Sequence, residues 1–314
     1  MERELINMRV FVTGGSGLLG RVLVKELLNK GYEVVALFHR NPIPVEHKNL
    51  RKVRMDISNG ILLEDIILRT RPDVIIHAAA YTDVDGCERN KVKAWKVNVE
   101  ATRSIVRAAR VVKAYLIYVS TDYVFDGERG LYREDDVPNP INYYGLTKLL
   151  GEELVRSSDL LYTIIRPSAI YGVGGSKKSF AEYVAERLFN NEEIFALEDQ
   201  YVSPTLNALL ARALAEIIEV RPMGVLHVAG ERMNRYEFAI KVAKTLGLPP
   251  ELVRRSYMKD MRGWIARRPR DSSLDITKAR ELLSTEFYDT DLALKIFKEE
   301  WKNLRGGRGC NACH

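Results

Sequence analysis

"MRVFVTGGSGLLGRVLVKELLNKG", residues 8 to 31, is the stretch whose reading decides the fold. It opens with a short β-branched run, the pattern of a buried strand. It passes through Gly14, Gly17 and Gly20, spaced G-x-x-G-x-x-G, and then places apolar residues at helical spacing up to a stop at Gly31. A strand that turns tightly into a helix leaves unpaired N–H groups at the helix N-terminus. With glycines allowing close backbone approach, such a turn suits a pyrophosphate. Gly14, Ser16, Gly17, Leu18, Leu19 and Gly20 are therefore expected to hold the phosphates of a dinucleotide.

The same rhythm continues outward. "YEVVALFHR" (32 to 40), "RKVRMDI" (51 to 57), "DVIIHAAA" (73 to 80), "AYLIYVST" (114 to 121) and "LYTIIRP" (161 to 167) read as further strands. Between them lie helical patterns, among them "LLEDIILRT" and "KAWKVNVEATRSIVRAARVV", the latter expected as one long helix. Strands that are apolar throughout, rather than alternating, belong to a parallel sheet covered on both faces. The fold class is thus α/β, a Rossmann-type doubly wound parallel sheet with a smaller C-terminal substrate lobe. Residues 1–166 are expected to form the dinucleotide-binding domain, to which the chain returns at about 192–229. Residues 167–314 are expected to form the lobe, with a flexible tail at 305–314.

Bulk composition narrows the class. At 314 residues, 46% hydrophobic and 29% charged, the chain has globular values. No apolar run reaches membrane-span length, and the charged N-terminus lacks the apolar segment of a secretory signal, so a cytoplasmic protein without membrane contact is expected. The net charge of +6 and pI near 9.1 suit an anionic ligand without requiring nucleic acid, because the basic residues are mostly interleaved with acids. The exception runs from Arg254 to Arg270, with seven basic residues against one Asp. Glutamine occurs once, at Gln200, a composition associated with thermophile proteins. The terminal "GCNACH", with Cys310, Cys313 and His314, spells a haem-attachment pattern. It is read as a frayed end, and no metal is expected.

The second strand ends "ALFHRN" with no acid to bind ribose hydroxyls. His39 and Arg40 offer positive charge where a 2′-phosphate would sit, which favours NADP(H), with NAD(H) as the alternative. Asp56 and Ile57 are expected to border the adenine, or to cap a simple turn. Ala78, Ala79 and Ala80 would let the cofactor pass close to the backbone. At the end of the fifth strand stands Thr121, and "INYYGLTKLLGEE" (141 to 153) puts Tyr144 and Lys148 four apart on one helix face. A ketone accepting hydride needs a proton donor within hydrogen-bond reach. A phenol beside an ammonium, whose charge is expected to lower the phenol's pKa, supplies one. Thr121 can hold the same oxygen, and Lys148 has donors left for the nicotinamide ribose.

These motifs carry a family resemblance. "TGGSGLLG", "STDYVFDG" and "YYGLTK" together resemble an extended short-chain dehydrogenase/reductase over nearly the whole chain. The resemblance is closest to the dTDP-4-dehydrorhamnose reductase branch, through "AAYTDVDGCE", "KVNVEAT", "DQYVSPT" and "RRPRDSSLD". It implies that Thr121, Tyr144 and Lys148 are the catalytic residues. It also implies that Thr82, Asp122 and Tyr123 face a sugar, and that Arg268 lies beside the substrate pocket. The substrate so implied is a nucleotide-linked 4-keto-6-deoxy sugar, and a homodimer is the default assembly. At Ala169 the chain departs from the pattern, since such reductases commonly carry a tryptophan there. The same branch includes the regulatory β subunit of methionine adenosyltransferase, which this chain resembles equally well. Two other readings stay open: an epimerase of the same fold, and a non-catalytic NADP-binding subunit. A dehydratase is disfavoured, because Tyr123 stands where the second carboxylate would be needed.

Overall fold

The computed structural model describes residues 8–309. Cys310, Cys313 and His314 lie outside the described residues. The chain begins with β1 (Arg9–Thr13), α1 (Gly20–Asn29), β2 (Glu33–Phe38), β3 (Leu50–Arg54), α2 (Gly60–Thr70) and β4 (Val74–His77). Two short helices, α3 (Val84–Arg89) and α4 (Lys91–Trp95), lead through a π turn (Lys96–Glu100) into α5 (Ala101–Val112). Then come β5 (Tyr115–Val119), α6 (Tyr143–Arg156) and β6 (Tyr162–Arg166).

Seven strands form one sheet in the order β11-β6-β5-β4-β1-β2-β3, where β11 is Gly224–His227. Every pairing in it is parallel. The order reverses between β1 and β4, which opens a crevice at the carboxyl ends of those strands. Because apolar residues cover the strands on both sides, two cores form. One packs Leu23, Val24 and Leu27 of α1 against Leu210, Leu214 and Ile217. The other sets Leu63 and Ile67 of α2 with Ile105 and Ala109 of α5 against Phe11, Ile75 and Leu116. The doubly wound sheet expected from the apolar runs is what folds.

The lobe is assembled from β7 (Ser168–Tyr171), α7 (Phe180–Phe189), β8 (Ile194–Leu197), β9 (Tyr201–Val202) and β10 (Pro204–Leu206). After α8 (Asn207–Val220) and β11, it is completed by β12 (Met233–Asn234), α9 (Arg235–Leu246), β13 (Val253–Ser256), α10 (Thr277–Leu282) and α11 (Thr290–Gly309). Three details differ from expectation. The chain returns to the sheet only with α8 and β11, because β8 pairs in parallel with β13 inside the lobe. The stretch expected as a tail from residue 305 begins inside α11, a helix anchored by buried Phe297 and Trp301. The long helix over 93–112 is interrupted by the π turn, where Asn98 is drawn inward. Its Oδ1 accepts from Tyr81 N at 2.7 Å and its Nδ2 donates to Thr147 Oγ1 at 2.9 Å. A wider turn is the way a helix accommodates a residue pulled from its ladder.

Among the described residues no helix is long and apolar enough to cross a membrane, and no cluster of His, Cys, Asp and Glu could hold a metal.

Candidate active site

The glycine loop meets the requirements of a dinucleotide cradle. Gly14 has φ of +74°, and a Cβ there would come within 3.0 Å of the Ala79 backbone. Only glycine lets the loop lie that close to the strand end after β4. Helix α1 starts with no side-chain cap, and although Arg21 N donates to the Gly17 carbonyl at 3.1 Å, no side chain blocks the helix N-terminus to an anion. A cavity of about 190 Å³ runs along Ser16, Asn41–Pro42 after β2, and Gly174–Ser176 after β7. The glycine turn and this cavity therefore fit the phosphate part of a dinucleotide. Ala78, Ala79 and Ala80 line the approach and are half-buried.

At the end of β2, His39 and Arg40 are exposed. His39 Nε2 lies 3.7 Å from Asp56 Oδ2, whereas Arg40 has no acidic partner among the described residues. Asp56 Oδ1 accepts from Ser58 N at 2.9 Å, so its carboxylate caps a turn, and Ile57 beside it is half-buried.

The reacting groups converge at the end of β5. Asn142 caps α6, its Oδ1 accepting from Gly145 N at 2.8 Å, so Tyr144 sits in the first turn. Gly145 follows because a Cβ there would lie 2.1 Å from the Tyr123 carbonyl oxygen. This contact explains the glycine between tyrosine and lysine. Tyr144 remains partly open, while Lys148 is 2% exposed. The Tyr144 phenol lies beside the Thr121 hydroxyl, which itself donates to Asp122 Oδ1 at 3.0 Å. Tyr123 stacks edge-on against it, with ring centroids 6.0 Å apart.

Electrostatics corrects one expectation. The phenol was expected to be acidified by Lys148. Instead burial pushes it above its ordinary value, and the neighbouring Thr121 hydroxyl only partly offsets this. The Lys148 ammonium is directed elsewhere, donating to the Val119 carbonyl at 2.8 Å over the Tyr118 ring. Burial pulls Lys148 down to about 7, opposed by the Glu152 carboxylate. At neutral pH the phenol is thus a proton donor in waiting, as the reducing direction requires.

The four substrate expectations fare differently. Tyr123 lies at the site, within reach of the Arg235 guanidinium. Asp122 does not face the crevice: it is 3% exposed, and its carboxylate accepts from Thr121, Ser168 and Ser272 hydroxyls at 3.0, 2.8 and 2.6 Å. It fastens the lobe to the sheet. Arg268 is held by Asp85 through two hydrogen bonds of 3.1 and 2.9 Å, which neutralises it. Thr82 is exposed on the loop before α3. The basic run is partly neutralised in the same way, by Glu193 on Arg254 and Glu198 on Arg255.

Residue reading missed three participants. Asn98 ties the loop after β4 to α6 through Tyr81 and Thr147. Glu152 and Arg166 form a fully buried pair behind Lys148. Arg235 is a half-buried guanidinium with no carboxylate partner among the described residues, donating to Gln200 Oε1 at 2.6 Å. Glu152 carried a signal, since it continues the four-residue step from Tyr144 through Lys148.

The parallel sheet, uncapped glycine turn and Thr121–Tyr144–Lys148 set define the class, a dinucleotide-dependent oxidoreductase of the extended short-chain dehydrogenase/reductase type. Comparison with known proteins narrows it. The chain belongs to the RmlD substrate binding domain family, whose sequence model matches residues 8–301. It is 47% identical to a hypothetical dTDP-4-dehydrorhamnose reductase from Sulfolobus tokodaii, covering 91% of this chain and 99% of that one, with a TM-score of 0.81. A dTDP-4-dehydrorhamnose reductase from Bacillus anthracis, solved in complex with NADP, is 30% identical over 94% of this chain and 99% of its own, with a TM-score of 0.83. Methionine adenosyltransferase 2 subunit beta from Bos taurus is 33% identical, covering 90% of this chain and 84% of the relative.

Proposed function

We propose that this chain is an NADPH-dependent reductase of a nucleotide-linked 4-keto-6-deoxy sugar. Gly14, Gly17 and Gly20 would hold the pyrophosphate of the cofactor, whose reduced nicotinamide would supply the hydride. Tyr144 gives its proton to the ketone oxygen, and Thr121 holds that oxygen with a second hydrogen bond. Lys148, bonded to the Val119 carbonyl, holds the end of β5 that carries Thr121. Arg40, free of an acidic partner among the described residues, takes the 2′-phosphate. Arg235 offers charge to the anionic part of the substrate, and Tyr123 with Ala169 borders the sugar. The observation that carries this reading is a phenol kept protonated by burial beside the Thr121 hydroxyl, at the carboxyl end of β5 in the same parallel sheet whose first strand feeds the glycine loop.

Mixing the protein with NADPH and dTDP-4-keto-6-deoxy-L-mannose should consume NADPH with sugar-dependent kinetics. Tight NADPH binding without any oxidation, across thymidine- and uridine-linked keto sugars, would overturn the reductase reading. That outcome would favour a regulatory NADP-binding subunit. The similarity to the methionine adenosyltransferase β subunit supports that second reading.

A further inference from the structure

Glu152 and Arg166 are both 0% exposed, and they meet through two hydrogen bonds, at 2.9 Å from Nε to Oε1 and 2.7 Å from Nη2 to Oε2. Desolvating two such charges can cost more than their attraction returns, so an apolar pair of similar volume would serve stability at least as well. The placement of the pair gives it another task. Ser120 Oγ donates to Glu152 Oε1 at 2.6 Å, tying the carboxylate to the residue just before Thr121. Tyr144, Lys148 and Glu152 follow one another at four-residue steps along one face of α6. Lys148 in turn holds the Val119 carbonyl on the same strand end. One carboxylate is therefore coupled to Thr121 through Ser120, and to Lys148 across one helical turn.

The other charged and titratable groups around this pair do not duplicate it. Arg156 on α6 lies 3.5 Å from Glu152 Oε2. His227 on β11 is 3.4 Å from Arg166 Nη1, and burial pulls its pKa down to about 3, which keeps it neutral. His77 on β4, between Thr13 and Thr102, is likewise neutral, pulled to about 3 by burial and by the Lys148 charge. The Tyr118 phenol on β5 is held protonated by burial, with the Glu152 charge adding to the effect. Glu152 is thus the buried anion one helical turn from Lys148.

We propose that Glu152, fastened by Arg166, is a positioning residue for the Thr121–Tyr144–Lys148 set: it holds the end of β5 through Ser120 and sets a buried negative charge one helical turn from the Lys148 ammonium. The proposal rests on the reductase reading above.

Glu152→Gln removes the charge while preserving shape. The full-length protein and this variant, both saturated with NADPH, are compared by NMR of isotope-labelled lysine and by kcat against pH. The Lys148 titration midpoint should fall by about one pH unit or more, and the high-pH limb of kcat should fall with it. NADPH affinity should hold. Arg166→Lys keeps the charge balance but loses the two-point grip. It should lower kcat by about tenfold or more through misplacement, with the Lys148 midpoint unmoved. An unmoved midpoint in folded Glu152→Gln, or an unchanged kcat in Arg166→Lys, overturns the proposal. A midpoint that moves in a protein without turnover supports the charge-holding role and counts against the reductase reading instead.

Discussion

The Tyr144 phenol and the Lys148 amine show how far spacing alone reaches at the scale of the residue. A four-residue step puts both on one helix face, and that much is legible in "YYGLTK". The sign of the phenol's pKa shift is not legible, because it depends on enclosure and on where the ammonium points. With Lys148 bonded to Val119, desolvation dominates and the phenol stays protonated. Lys148 itself sits near the point of losing its charge. Its pKa is lowered to about 7, so the cationic form is present below that pH and lost as pH rises through it. The account therefore predicts that kcat for reduction falls above about pH 7, and a pH–rate profile under saturating NADPH checks it. Under the proposed function, the Arg40 charge sets the choice of cofactor. Arg40→Ala should weaken NADPH by about tenfold, roughly 1.4 kcal/mol, and leave NADH nearly unaffected. Paired fluorescence titrations with the two cofactors would show it, and equal losses for both would contradict the 2′-phosphate role.

Elements were legible where a single periodicity ran unbroken. The glycine turn between β1 and α1, and the uniformly apolar strands, announce the doubly wound sheet. The π turn at Lys96–Glu100 was not legible, because "KVNVE" has the composition of ordinary helix and the cause is tertiary. Asn98 is pulled toward Tyr81 and Thr147, groups distant in sequence. β8 was misplaced for a similar reason, its partner β13 lying in the basic run far along the chain. Close packing at the head of α6 makes a sharp prediction. A Cβ at Gly145 would strike the Tyr123 carbonyl, so Gly145→Ala should destabilise the protein by about 1–3 kcal/mol through overpacking. Urea unfolding measures the cost, and kcat should fall with it as Tyr144 is displaced.

On the scale of the whole molecule, the segments after β6 are held against the carboxyl end of the sheet. Asp122 does much of the holding, since its buried carboxylate gathers hydroxyls from the end of β5, from β7 and from the segment after the basic run. The resemblance to known reductases put it against the sugar, and no pattern in "STDYVFDG" reveals that Ser168 and Ser272 arrive from elsewhere. Asp122→Ala would leave buried hydroxyls without their acceptor, a loss of about 1–3 kcal/mol. Hydrogen exchange should show the lobe loosening while the sheet stays protected, and NADPH binding should survive. A variant that unfolds as one unit would argue against a separable lobe.

The central claim is that Tyr144 delivers a proton as hydride reaches the ketone. It is tested most directly by rapid-mixing measurement of NADPH oxidation in a single turnover, comparing the native chain with Tyr144→Phe on dTDP-4-keto-6-deoxy-L-mannose. The account predicts a rate lower by about 10²–10⁴-fold in the variant, with NADPH bound as tightly as before. A variant that oxidises NADPH at the native rate, or that loses NADPH binding without any change in the chemical step, would contradict it.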